Sequence, residues 1–163
     1  MSYDDARPKF IVDANVGKLA RWLRMLGYDT IFDRNLDDGE LVAKGLRDGR
    51  VLLTRDTRIM LRRAVTSGEL RAMLTPEDNP VDQMRRVIAE MKLDRDREFT
   101  LCLECNEPLV PRRKDEVGNL VPPYVFKTQS QYFQCSRCER IYWRGTHWQH
   151  MREVLENLTG VER

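Results

Sequence analysis

No stretch of this chain approaches the roughly 20 consecutive apolar residues that cross a bilayer as a helix. That excludes a helical membrane protein. No apolar export signal precedes Pro8 either, so the expected location is the cytoplasm. Internal repeats and low-complexity segments are missing. With 163 residues and 41% hydrophobic content, the chain can bury one real core plus a small stapled module. Cysteine is scarce: four residues are too few for a disulfide-dense secreted scaffold. The net charge of +2 is too small, taken whole, to mark a partner.

What is present is unevenly placed. The four cysteines form two matched pairs, Cys102 with Cys105 and Cys135 with Cys138. Two residues between partners let both thiolates of a knuckle reach one ion, and two knuckles complete a tetrahedral sulfur site, which zinc fills best. Neither knuckle opens a helix after a strand, which argues against a redox pair. Four protein ligands leave no position for water, so the expected zinc is structural. Charge is uneven too. From Lys44 to Arg71 there are eight basic residues (Lys44, Arg47, Arg50, Arg55, Arg58, Arg62, Arg63, Arg71) against three acids (Asp48, Asp56, Glu69). Such an excess attracts polyanions, or simply coats a solvated helix face.

Hydrophobic periodicity orders the first half. Phe10-Ile11-Val12 reads as a buried strand ending at Asp13. Gly17 to Leu26 is helical, with Leu19, Trp22, Leu23 and Leu26 on one face, Lys18, Arg21 and Arg24 on the other, and Gly27 as the stop. Thr30-Ile31-Phe32 is a second strand. Asp37-Asp38-Gly39-Glu40 opens a helix through Leu46, with acids at its positive end. Val51-Leu52-Leu53 is a third strand, followed by Thr54-Arg55-Asp56. Helices are predicted over Arg58–Val65 and Val81–Met91. Alternating strands and helices predict an α/β domain with a parallel sheet.

Asp13 and Asp56 each lie just past the carboxyl end of a predicted strand, the edge where open α/β sheets build their sites. Asp37 or Asp38 can reach the same edge. Asp37 suits the helix cap and Asp38 the ligand, though spacing hardly separates them. Converging carboxylates repel unless protonated or bridged by a cation, and oxygen ligands suit magnesium or manganese. A metal so held serves phosphodiester hydrolysis. Each Asp read alone is equally a cap or loop acid.

The run from Asp13 to Thr30 resembles the opening of the Mut-seven carboxy-terminal RNase family. Leu52-Leu53-Thr54-Arg55-Asp56 resembles its second signature. The knuckles with Ile141-Tyr142-Trp143-Arg144-Gly145-Thr146-His147 resemble its terminal zinc ribbon. The resemblance implies a PIN-like three-layer fold with a mostly parallel sheet, a metal-dependent ribonuclease activity, and catalytic carboxylates at Asp13, Asp38 and Asp56. With Asp94-Arg95-Asp96-Arg97 as the boundary, it gives a nuclease domain at 8–97 and a ribbon at 98–152, with 1–7 and 153–163 as terminal extensions. The chain departs from the family pattern at several places. Asn15 and Val16 stand where methionine and leucine are usual, and Arg58 where many PIN-like proteins carry a further Asp. Asn106 and Glu139 stand where glycine often follows the second cysteine of a knuckle. Asn tolerates positive φ fairly well and Glu poorly.

Lys18, Arg21, Arg24, Arg55 and Arg58 are the candidate phosphate contacts. His147 is read either as a proton donor or phosphate contact, or as a buried histidine. Eight of the thirteen aromatics fall between Phe99 and Trp148. They read mainly as the core of a ribbon too small to do without them, and partly as surfaces for unpaired bases. The expected partner is RNA, with single-stranded DNA as a variant. The rival is a non-catalytic RNA-binding zinc-ribbon protein or an adaptor in RNA processing.

Overall fold

A computed structural model describes residues 7–159. β1 (Phe10–Val12), β2 (Thr30–Phe32), β3 (Val51–Thr54) and β4 (Ala72–Leu74) form one sheet in the order β2-β1-β3-β4. Every pairing in it is parallel, with Ile11 opposite both Ile31 and Leu52. Alternation along the strands then sorts side chains onto two faces. Phe10, Val12 and Leu53 join one core with α1 (Lys18–Met25) and α5 (Pro80–Met91). Ile11 and Leu52 join a second core with α2 (Asp38–Asp48) and Ile59. The result is three layers.

Connection handedness explains which helix lies where. The step from β1 to β2 runs one way along the sheet, and those from β2 to β3 and β3 to β4 run the other way. Right-handed crossovers therefore put α1 on one face and α2 on the opposite one. The chain leaves the adjacent strands β1 and β3 toward opposite faces, which opens a crevice between their carboxyl ends.

The predicted helix over Arg58–Val65 is two single turns, α3 (Thr57–Met60) and α4 (Arg63–Thr66), separated by extended Arg62. β4 follows them and is an addition to the three strands read from the sequence.

The second part of the chain is an antiparallel sheet of β5 (Leu109–Arg112), β6 (Tyr132–Cys135) and β7 (Ile141–Tyr142). Two short helices, α6 (Lys114–Val117) and α7 (Pro123–Thr128), lie between β5 and β6, and α8 (Thr146–Thr159) closes the described chain. The two parts share a core. Phe99, Leu103, Met151 and Leu155 pack in the same cluster as Phe10, Leu19 and Met84. Of the expected terminal extensions, residues 1–6 and 160–163 lie outside the described residues, and 153–159 are the last turns of α8, with Leu155 fully buried. No helix among the described residues is long and apolar enough to cross a membrane.

Candidate active site

The crevice between β1 and β3 is organised by a threonine. The backbone N–H of Asp13 donates to the Leu53 carbonyl at 2.9 Å, carrying the β1–β3 ladder one residue past the strand. This sets Asp13 beside Thr54, whose buried hydroxyl donates to Asp13 Oδ2 at 2.7 Å and accepts from the Asp56 N–H at 2.9 Å. Asp13 Oδ1 caps the following 3-10 turn through the Ala14 N–H at 2.8 Å. Asp56 caps α3 through the Arg58 N–H at 2.8 Å. Both residues thus sit at one sheet edge, each carboxylate in a local cap, with one hydroxyl joining the Asp13 carboxylate to the Asp56 backbone.

Asp38 approaches from α2, which follows β2 on the other flank of β1. Asp37 is the helix cap: its Oδ1 accepts the Glu40 N–H at 2.8 Å, and Glu40 returns a carboxylate to the Asp37 N–H at 3.3 Å. That capping hydrogen bond, first of several, holds Asp37 below the usual carboxylate range. Arg58 pairs with Asp56. Its guanidinium meets Asp56 at 3.3 Å, and its pKa is raised by that contact first and by the charge of Asp38 after it. Asp56 is correspondingly held low, by the Arg58 N–H first and the guanidinium next.

Beside this edge lies a groove of 730 Å³ lined by Asn15, Lys18, Arg21, Arg34 and Phe32, running to Leu103 and Glu104 of the first knuckle. Lys18 is exposed within it, and Arg21 pairs with Glu104 across it. Arg24, expected to contact phosphate, borders the same groove, but its guanidinium is bound to backbone carbonyls. Its side chain is buried, with Nε and Nη2 on the Thr30 carbonyl (3.1 and 2.9 Å) and Nη1 on the Leu103 carbonyl (2.8 Å). It rivets α1 to β2 and the first knuckle. Desolvation, the largest influence on it, lowers its pKa against the pull of Cys102 and Glu104.

The basic excess from Lys44 to Arg71 is not one patch. Arg50 precedes β3 and binds Asp29 at 2.8 Å, whereas Arg55 follows β3 and binds Asp78 at 2.5 Å, so the sheet separates them. His147, in the first turn of α8, is exposed and lines a different cavity on the ribbon side. Thr54, Arg34 and Asp78 were not singled out by sequence reasoning. A hydroxyl at the last position of a strand, two residues before Asp56, was a readable signal for Thr54. Asp78 carried none.

The four cysteines meet. Their sulfurs all lie within 4.8 Å of one another, with Cys102 and Cys138 3.8 Å apart. Ligands about 2.3 Å from a zinc ion define tetrahedron edges of about 3.8 Å. All four are free thiols. Each knuckle closes identically: the Asn106 N–H donates to the Cys102 carbonyl and the Glu139 N–H to the Cys135 carbonyl, both at 2.9 Å. The turn residues Asn106 and Glu139 have φ of 64° and 65°. The donor set also fits a cation chemically. Burial first and neighbouring thiols next push Cys105 up to about 12. Cys102 lies at about 7, because the Tyr142 hydroxyl and backbone N–H groups outweigh the burial that opposes them. Among the described residues, this is the only group of three or more such side chains close enough for one ion, and the three Asp carboxylates do not form another.

No curated protein and no solved structure matches this chain. A family model does, spanning the carboxylate edge, the groove and the knuckles together. The chain belongs to the family described as the Mut7-C RNAse domain, matched over residues 8–155.

Proposed function

We propose that this protein hydrolyses RNA phosphodiester bonds at the crevice between β1 and β3, using a divalent cation whose binding would draw Asp13, Asp38 and Asp56 closer together than they lie here. The observation that carries the reading is the Thr54 hydroxyl, within hydrogen-bond reach of Asp13 on one side and the Asp56 N–H on the other, at a sheet edge where α/β folds place their chemistry. Oxygen donors from three segments suit magnesium or manganese. Each Asp13 oxygen accepts one hydrogen bond and keeps a lone pair, and so does Asp56 Oδ2. When bound, such an ion neutralises charge on the scissile phosphate and makes a water more acidic. The chain's own groups do the rest. Thr54 and the caps hold Asp13 and Asp56 still, and Asp56 stays ionised well below neutral pH because Arg58 favours its charged form. Asn15, whose Oδ1 accepts the Arg55 N–H at 3.3 Å, ties the two loops of the crevice. Lys18, Arg21 and Arg34 orient the phosphate backbone along the groove. The zinc ribbon supports one wall of that groove.

The test is cleavage of end-labelled RNA, with magnesium or manganese added to zinc-loaded protein. Wild type should cut only with the added ion. Asp13→Asn should lose about a hundredfold or more, since even residues behind a metal ligand cost ~10–100-fold. Equal activity in the two proteins overturns the assignment.

A further inference from the structure

Opposite the groove, across Arg21 and Leu103, lies a second cavity of 680 Å³ on the ribbon side. It is walled by α7, β7 and the first turn of α8, and its composition is unusual. Arg21, Arg140, Arg144 and His147 line it, and no Asp or Glu among the described residues does. Aromatic rings supply much of the rest. Tyr124 is left 69% exposed on α7, in a part of the chain that otherwise buries its large aromatics. Trp143 is half-buried and lies edge-on to Gly145, where a Cβ would come within 2.8 Å of the indole nitrogen. Gly145 therefore allows the ring to sit where it does. Trp148 lines the cavity too, with the Arg144 guanidinium 5.3 Å from its ring centroid.

Aromatic faces and a lining of four basic side chains, of which Arg21 and Arg140 share the single carboxylate of Glu104, suit a ligand that is at once aromatic and anionic. A nucleotide is that ligand. The geometry points to a binding site for an unpaired nucleobase in this ribbon cavity, with Tyr124 and Trp143 as stacking faces and Arg140 and Arg144 on the adjoining phosphates. The inference rests on RNA being the substrate of the carboxylate edge. It adds that the substrate is single-stranded where it crosses the ribbon. Arg21 lines both cavities, so a strand with one base held here runs its backbone past Arg21 into the groove beside Asp13. Paired bases cannot do this, because their faces and edges are already occupied within the duplex.

The experiment measures binding of a fluorescent single-stranded RNA, and of a blunt duplex of the same sequence, to zinc-loaded protein carrying Asp13→Asn to prevent cleavage. Adding Tyr124→Ala should weaken single-strand binding by roughly ten- to a hundredfold and leave duplex binding nearly unchanged. Tyr124 is exposed, so the change leaves the fold intact. Quenching of tryptophan fluorescence by the RNA, lost in Trp143→Phe, reports the contact independently. Equal affinity with and without Tyr124→Ala, or equal weakening toward duplex, overturns the base site. If that occurs while wild type still cleaves RNA, the hydrolase reading stands alone. If Tyr124→Ala abolishes single-strand binding while wild type cleaves nothing, the base site stands and the hydrolase reading falls.

Discussion

Thr54 is fully buried at the end of β3, and its hydroxyl links two loops that reach the crevice from opposite faces of the sheet. Valine has the same shape without the hydroxyl. Thr54→Val would leave Asp13 Oδ2 short of its donor and the Asp56 N–H short of its acceptor, costing about 1–3 kcal/mol of stability. Because the variant also frees the two carboxylates to move apart, RNA cleavage should fall by a further ~10–100-fold at temperatures where the protein stays folded. Thr54→Ser, which keeps the hydroxyl, should recover most of both. Unchanged cleavage in Thr54→Val, with the expected loss of stability, would reduce the threonine to a packing residue. The same scale exposes what charge patterning alone misreads. Arg24 belongs, by helical period, to a solvated basic face with Lys18 and Arg21. The Thr30 carbonyl of β2 and the Leu103 carbonyl of the docked first knuckle, at 2.9 and 2.8 Å, together convert it into a buried rivet.

At the scale of elements, the two knuckles are a matched pair with unequal turn residues. Asn106 adopts φ of 64° and uses its side chain, with Oδ1 accepting the Thr30 N–H at 2.9 Å and Nδ2 donating to Asp29 at 2.7 Å. Glu139 adopts φ of 65° on an exposed loop. A left-handed conformation costs a residue with a Cβ roughly 1–2 kcal/mol, and glycine nothing comparable. Glu139→Gly should therefore stabilise the second knuckle by up to about 1 kcal/mol, once glycine's greater unfolded entropy is deducted. Zinc competition with a chromophoric chelator should then show slower loss of the ion. Faster loss would mean that the glutamate side chain contributes more than its backbone costs. This conformation was legible through the family resemblance, because glycine is usual at the residue that follows each second cysteine, where Asn106 and Glu139 stand. The carboxyl-edge acids were legible directly: β1, β2 and β3 are short apolar runs that each stop at a polar loop. β4 was not, since Ala72-Met73-Leu74 is a brief segment after a polar stretch. The broken helix was not either. Ile59, Ala64 and Val65 all pack on the second core, yet five and six residues of continuous helix would turn them to different faces. Extended Arg62 resets the phase, a demand set by the sheet and invisible to local periodicity.

Across the whole molecule, the cysteine ribbon and the parallel sheet are bound too closely to respond independently. Phe99, Leu103, Met151 and Leu155 lie in the core that holds Phe10 and Leu19, and the Phe99 N–H closes the end of α1 on the Met25 carbonyl at 2.9 Å. Gly27, at φ of 86°, lets this segment pass, since a Cβ there would fall 2.1 Å from the Arg97 carbonyl. Removing zinc should therefore destabilise the carboxylate edge as well as the knuckles. Structural zinc contributes ~10–16 kcal/mol in isolated peptides. If only a quarter of that reaches the shared core, the loss is about 3–4 kcal/mol, and at ~2–4 °C per kcal/mol the melting temperature drops by about 10 °C. Zinc release should also be driven by acid. Thiolates bind metal and thiols do not, so protonating the cysteines on going from about pH 8 to about pH 6 opposes binding. Calorimetry on zinc-loaded protein, on protein stripped by a chelator and on Cys135→Ser should each show one transition, displaced downward together in the last two. Two transitions, with only the lower one moved by zinc, would mean that the sheet is stable without its ribbon. The cysteines would then act on the groove only through the wall that Leu103 and Glu104 provide.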